Sequence, residues 1–155
     1  MHIALGSDHG GFHLKAKIKD FLTANNYQFH DFGTYSAEAV DYPDFARMVA
    51  GAVAGGAYNR GILVCGTGIG VCITANKIAG IRAALCHDTF SARCSREHND
   101  ANILTLGERV IGSGLALDIV RVWLTTEFSG GRHTRRLQKI KEIEQTSKLV
   151  DPGTQ

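Results

Sequence analysis

Short apolar runs and longer amphipathic stretches take turns along this chain. Residues 2–6, HIALG, are a compact apolar run that predicts a buried strand. After the loop Ser7-Asp8-His9-Gly10-Gly11, the residues Leu14, Ile18, Phe21 and Leu22 recur at i, i+4, i+7 and i+8, which is one face of a helix. Residues 27–32, YQFHDF, alternate polar and apolar side chains, as a strand with one more exposed face does. Gly33, Asp41, Pro43 and Asp44 mark a loop, and Phe45, Val49 and Val53 define a second helix. Residues 61–65, GILVC, are the most strand-like run; they end in Gly66-Thr67-Gly68-Ile69-Gly70 and a helix to about residue 78. A fourth strand is expected over 81–86, a helix over 88–97, a fifth strand over 103–106 and a helix over 115–124 that carries Trp123. Beyond Ser129-Gly130-Gly131 comes a polar helix, with Leu137, Ile140 and Ile143 as its expected buried stripe and a frayed end from about residue 147.

This regular βα alternation predicts a parallel sheet with helices on both faces, one domain over residues 1–155. In such folds ligands sit at the carboxyl ends of the strands. The loops of interest therefore follow Leu5, Phe32, Cys65, Cys86 and Leu106.

Composition narrows the field. A net charge of +2 and the lack of any block of like charges give no footprint for nucleic acid. The first residues lack a basic segment and a long apolar core, and no stretch approaches the length of a membrane span, so a cytoplasmic protein without a membrane partner is expected. The cysteines Cys65, Cys72, Cys86 and Cys94 form neither a CxxC pair nor a zinc-ligand spacing, which fits reduced thiols and no metal cofactor.

The strand-end loops hold the candidate chemistry. Asp8 beside His9 supplies an acid and an imidazole, although alone Asp8 reads as readily as a helix cap and His9 as a solvated loop residue. The glycines of Gly66-Thr67-Gly68-Ile69-Gly70 allow a tight turn that points successive N–H groups at an anion or a developing oxyanion, with Cys65 at its lip and the Thr67 hydroxyl close by. The loop is a poor dinucleotide fingerprint, because the third glycine of GxGxxG falls at Val71 and the loop follows the third strand. His98, within Ser95-Arg96-Glu97-His98-Asn99-Asp100, is either a proton carrier near neutral pH or a helix-end residue facing the dipole. Arg132 and Arg136 stand four apart on one helix face beside His133 and Arg135, a spacing that suits a phosphate dianion or a solvated basic face; Arg109 is a third candidate.

Taken in order, these motifs resemble the type-B ribose-5-phosphate isomerase family, which includes the galactose-6-phosphate isomerase subunits. The matching segments are Gly6–Gly11, Val40-Asp41-Tyr42-Pro43, Cys65–Gly70, Ala75-Asn76-Lys77, Gly80-Ile81-Arg82-Ala83, Ser95–Asn102, Gly107-Glu108-Arg109 and Gly131-Arg132-His133. The resemblance implies a three-layer α/β/α sandwich of Rossmann-like type with a five-stranded parallel sheet and a C-terminal helix. It implies a homodimer, or a dimer of dimers, with the site at the subunit boundary and no cofactor. In that family the base is a cysteine at the position of Cys65 or a glutamate at the position of Val71; valine cannot take a proton, which puts this chain in the cysteine branch.

The implied substrate is ribose 5-phosphate, exchanged with ribulose 5-phosphate through an enediolate; the alternative is a six-carbon phosphate such as allose or galactose 6-phosphate. By resemblance His98 opens the ring with help from Asp8, Thr67 holds the substrate or the thiol, and the amides of Gly66, Thr67, Gly68, Ile69 and Gly70 cradle the enediolate. Asn99 bonds sugar hydroxyls, Tyr42 walls the ring, and His9, Arg109, Arg132 and Arg136 hold phosphate. Cys65 and its loop are expected from one subunit, with His98, Asn99 and Arg109 from the other.

Overall fold

Side chains in the central strands alternate between two apolar layers, and this fixes the architecture. The computed structural model describes residues 1–147; the expected frayed end lies largely outside them. The strands are β1 (His2–Ser7), β2 (Gln28–Asp31), β3 (Arg60–Cys65), β4 (Ala83–Leu85) and β5 (Ile103–Gly107). They form one sheet in the order β2-β1-β3-β5-β4, with every neighbouring pair parallel. The helices are α1 (Phe12–Ala24), α2 (Tyr42–Ala54), α3 (Ile69–Ala75), α4 (Thr89–Asn99), α5 (Ser113–Thr125) and α6 (Arg132–Ser147).

Ile3 and Leu5 of β1, Ile62 and Val64 of β3, and Leu104 and Leu106 of β5 pack with α1, α4 and α5 around Trp123. Ala4, Leu63, Cys65 and Ile103 face the other way and pack with α2 and α3. The result is the expected three-layer sandwich. Each fully buried aliphatic side chain contributes about 1.5–3 kcal/mol relative to exposure. Arg60, a buried charged group at the edge of the first layer, is satisfied by the carboxyl end of α5, donating to the carbonyls of Trp123 and Leu124 at 2.9 and 2.8 Å.

The chain leaves β1 to build β2 on one side and then crosses to β3 on the other. The crevice between the ends of β1 and β3 is thus the topological switch point, where doubly wound folds bind ligands. Two expected elements are shorter than their patterns: α3 stops at Ala75 and β4 spans only Ala83–Leu85, because Asn76 turns back onto Ala83, accepting from its N–H and donating to its carbonyl at 2.9 Å each. A larger departure concerns α6. Its expected buried stripe is not buried: Ile140 is 46% and Ile143 66% exposed, and Leu137 only half-buried. The helix meets its own domain at α4 and through the Glu144 carboxylate, which accepts from the Gly80 N–H at 2.7 Å, and its apolar side chains line an open cleft against Ile81 and Ala83 rather than a closed core.

Candidate active site

Two loops meet at the switch point. The first follows β1, where paired hydrogen bonds between Ser7 and the segment Gly33-Thr34 extend the sheet edge (Ser7 N–H to Gly33 O 2.7 Å, Thr34 N–H to Ser7 O 2.6 Å). That segment is pinned from below by Lys15, whose buried Nζ donates to Thr34 O and to Asp31 Oδ1, both at 2.6 Å. Burial lowers the Lys15 ammonium against the pull of Asp31. Burial alone would raise the Asp31 carboxyl, but bonds from Lys15, Lys19 and the Gly33 amide outweigh it and hold it below the ordinary carboxylate range.

Asp8 and His9 stand on this base. Asp8 is buried and makes no side-chain cap bond, so the cap reading fails. Its Oδ1 has no hydrogen-bond partner among the described residues. Burial pushes the carboxyl above the usual range, opposed by His9, the nearby Gly10 and Gly11 amides, and Arg109. A buried, under-bonded carboxyl at a strand end is a group poised to handle a proton. His9 Nδ1 lies 3.2 Å from both the N–H and the carbonyl of Val40, which fixes its ring.

The second loop follows β3. The Gly68 N–H donates to Cys65 Sγ at 3.0 Å, and the Ile69 N–H to Thr67 Oγ1 at 3.3 Å. Gly68 is the left-handed residue before α3 (φ +78°), and a β-carbon there would stand 2.8 Å from the Leu106 carbonyl carbon. A β-carbon at Gly70 would stand 2.7 Å from the ring of Tyr42, so Tyr42 walls the loop through contact with bare backbone. Val71, next along, is buried in the α2–α3 layer.

The loop after β5 laces the second loop in place. Glu108 and Arg109 donate their N–H groups to the carbonyls of Cys65 and Gly66, at 2.9 and 3.0 Å. The Glu108 carboxylate accepts from the Leu14 N–H at 2.8 Å, tying α1 to the same point. The Arg109 side chain lies over Gly66 of its own chain and acts on Asp8. Within one chain Arg109 thus stands beside the Cys65 loop and not beside His98, because the β5 loop folds back onto β3, its hydrogen-bonded neighbour.

Asp8, His9, Tyr42, Cys65, the glycine loop and Arg109 are thus brought together. His98, Asn99, Arg132 and Arg136 are not among them. His98 ends α4, just before β5, whereas Cys65 pairs with Gly107 at the far end of β5. About 13 Å of strand separates the two levels. At the lower end His98 stacks on His133 at the start of α6, with centroids 4.4 Å apart and planes 8° from parallel. Burial, then the nearness of His98, Arg132 and Arg136, holds His133 below the ordinary histidine range. Asn99 receives Arg82 Nε on its carbonyl at 3.0 Å. The candidate residues therefore fall into two groups at opposite ends of the sheet. Sequence reasoning missed Lys15, Glu108 and the His133 stack. Lys15 sits on the same helix face as Leu14 and Ile18, and that adjacency was the available signal for it.

The ribose/galactose isomerase family model matches residues 3–140. The chain belongs to this family. The solved ribose-5-phosphate isomerase B of Clostridium thermocellum is 59% identical, with a TM-score of 0.94 over 95% of this chain and 99% of that one. Ribose-5-phosphate isomerase B of Escherichia coli is 51% identical over 143 residues, 92% of this chain and 96% of that protein. A D-erythrulose-4-phosphate isomerase of Pectobacterium atrosepticum is 44% identical over 96% of this chain and 98% of that protein. Within the ribose/galactose isomerase fold, this chain's switch-point crevice is where Cys65 and Asp8 stand.

Proposed function

We propose that this chain is an aldose–ketose isomerase that interconverts D-ribose 5-phosphate and D-ribulose 5-phosphate in the non-oxidative pentose phosphate pathway, with Cys65 as the base. The observation that carries this reading is the Cys65 sulfur held by the Gly68 amide in a glycine loop beside buried Asp8, with an apolar residue, Val71, at the other position a family base takes. That amide holds the sulfur in place at the mouth of the loop, and the thiolate is the form of a cysteine that takes a proton. The names of the Clostridium and Escherichia relatives support the substrate.

His98, assisted by Asp8, opens the furanose ring. Cys65 then removes the C2 proton, and loop amides fixed before the reaction begins stabilise the enediolate at little reorganisation cost. The proton returns at C1. Tyr42 walls the sugar, Thr67 and Asn99 hold hydroxyls, and His9, Arg109, Arg132 and Arg136 hold the phosphate, whose binding energy keeps the open chain aligned.

The two groups lie at opposite ends of the sheet in one chain, which supports a reading that includes a homodimer in which His98, Asn99, Arg132 and Arg136 of one copy complete the Cys65 crevice of the other. Two-fold symmetry builds two such sites at once. Exposed apolar side chains on the α2–α3 layer, namely Met48, Ile69 and Ile73 at 41–57% exposure, support a covering copy. Among the described residues no helix is long and apolar enough to cross a membrane. A cytoplasmic setting fits the free thiols.

The second reading is a phosphate of a different carbon count, six as in allose 6-phosphate or four as the name of the Pectobacterium relative indicates. An assay of chelator-treated protein on ribose 5-phosphate, allose 6-phosphate and erythrulose 4-phosphate decides between them. The highest kcat/KM is expected on ribose 5-phosphate; a higher value on either of the others overturns the assignment.

A further inference from the structure

Cys94, Glu97 and His98 fall at i, i+3 and i+4 on α4, so all three project from one stripe. One donor atom from each, a thiol sulfur, a carboxylate oxygen and a ring nitrogen, lie within 4.8 Å of one another. Each side chain is part-buried, with Glu97 35% and His98 42% exposed, so an ion can reach all three. The frame beneath them is stiff. Ser129 donates to the Glu97 carbonyl at 3.0 Å, and Arg96 bonds Asp100 and the Ala101 carbonyl at 2.8 and 2.6 Å. The His98 ring is already oriented by its stack on His133, which lowers the ordering cost of ligation.

The donor types select the ion. Magnesium and calcium take oxygen ligands, whereas thiolate, imidazole and carboxylate together suit zinc and its neighbours. Thiolate and carboxylate supply two negative charges against the nearby Arg132 and Arg136 cations.

We propose that Cys94, Glu97 and His98 form an inhibitory site for a zinc-class divalent ion, which withdraws His98 from the reaction. The inhibitory half rests on the reading of His98 as the ring-opening group; the binding half does not. On binding, the Cys94 thiol gives its proton to solvent and a metal–sulfur bond replaces a metal–water bond. The His98 lone pair goes to the ion, and water fills the fourth position. No electron changes hands.

Cobalt serves as the spectroscopic probe, since a thiolate–cobalt bond gives a near-ultraviolet charge-transfer band. Wild-type protein is expected to develop this band on cobalt titration, and the Cys65→Ala protein to keep it. Cys94→Ser should lose the band and Glu97→Gln should weaken it, each with an unchanged circular dichroism spectrum. In turnover assays zinc should inhibit the wild type, with recovery on chelation. Cys94→Ser should keep metal-free turnover and need at least about tenfold more zinc for half-inhibition. No band in the wild type, or a band that vanishes in Cys65→Ala and persists in Cys94→Ser, overturns the site. A band lost in Cys94→Ser alongside zinc-insensitive wild-type turnover upholds the site and contradicts the role given to His98.

Discussion

The backbone N–H of Gly68 donates to the sulfur of Cys65 across 3.0 Å, inside a loop that the Glu108 and Arg109 amides hold to the end of β3. The proposed base and its donor are therefore fixed by strand pairing before any substrate arrives. Cys65→Ala is expected to abolish isomerisation while the protein still folds and binds sugar phosphate. Alkylation should inactivate the wild type, with substrate protecting Cys65. Cys86 should stay unmodified at neutral pH, because burial pushes its thiol up to about 11. Peptide mass mapping with and without substrate reads both outcomes, and Cys72→Ala, whose sulfur turns to the Ala83 carbonyl rather than into the loop, should cost little turnover.

Gly70 lets the ring of Tyr42 rest on bare backbone. A methyl at Gly70 would stand 2.7 Å from that ring, so Gly70→Ala must push Tyr42 off the loop. The expected result is a raised KM and a lowered kcat with little loss of stability, since Tyr42 is 39% exposed. Tyr42→Phe should leave both constants close to wild type. Steady-state kinetics and a thermal melt on each variant check the pair.

Much of this was legible in the chain itself. Period and spacing gave the order of elements, and the glycine-rich loop after GILVC marked the crevice. The resemblance then supplied roles for Cys65, Asp8 and Tyr42. Three features were not legible, each for a physical reason. The role of Lys15 depends on its carboxylate, Asp31, which lies on another element and leaves no mark beside it in the sequence. Ile140 and Ile143 form a helical stripe that sequence equates with burial, yet they line an open cleft against Ile81 and Ala83 that the domain does not close. The distance between Cys65 and His98 depends on strand direction and order, which no local pattern encodes.

The buried pair beneath the first loop gives a stability prediction. Asp31 has its folded-state proton affinity depressed, so its contribution is present above the unfolded value of about 3.9 and lost as pH falls through the lower folded value. Asp31→Asn leaves Lys15 without its counter-charge and is expected to cost about 3–5 kcal/mol near neutral pH. The gap between variant and wild type should narrow at pH values below the carboxylate range. Urea unfolding at neutral and acid pH measures it; a pH-independent gap would contradict the ion-pair origin.

Arg132 and Arg136 stand one helical turn apart at the start of α6. Replacing either by Ala should raise KM more than it lowers kcat. A charge-assisted contact of about 1.5–3 kcal/mol corresponds to about one to two decades in affinity. Inorganic phosphate should compete weakly with substrate in the wild type and less in either variant. Unchanged KM in both would return the arginines to a solvated face.

Cys65 and His98 sit at opposite ends of one sheet, so the central claim is that a working site takes one from each copy. Inactive Cys65→Ala and His98→Ala proteins, unfolded together and refolded as a mixture, test it directly. Mass spectrometry on intact assemblies confirms that mixed dimers form. Each mixed dimer should then hold one site with both residues intact and one with neither, and activity should return in proportion to the mixed fraction. Confirmed mixed dimers without activity would contradict the shared site, because a site built within one chain keeps a defect in every copy.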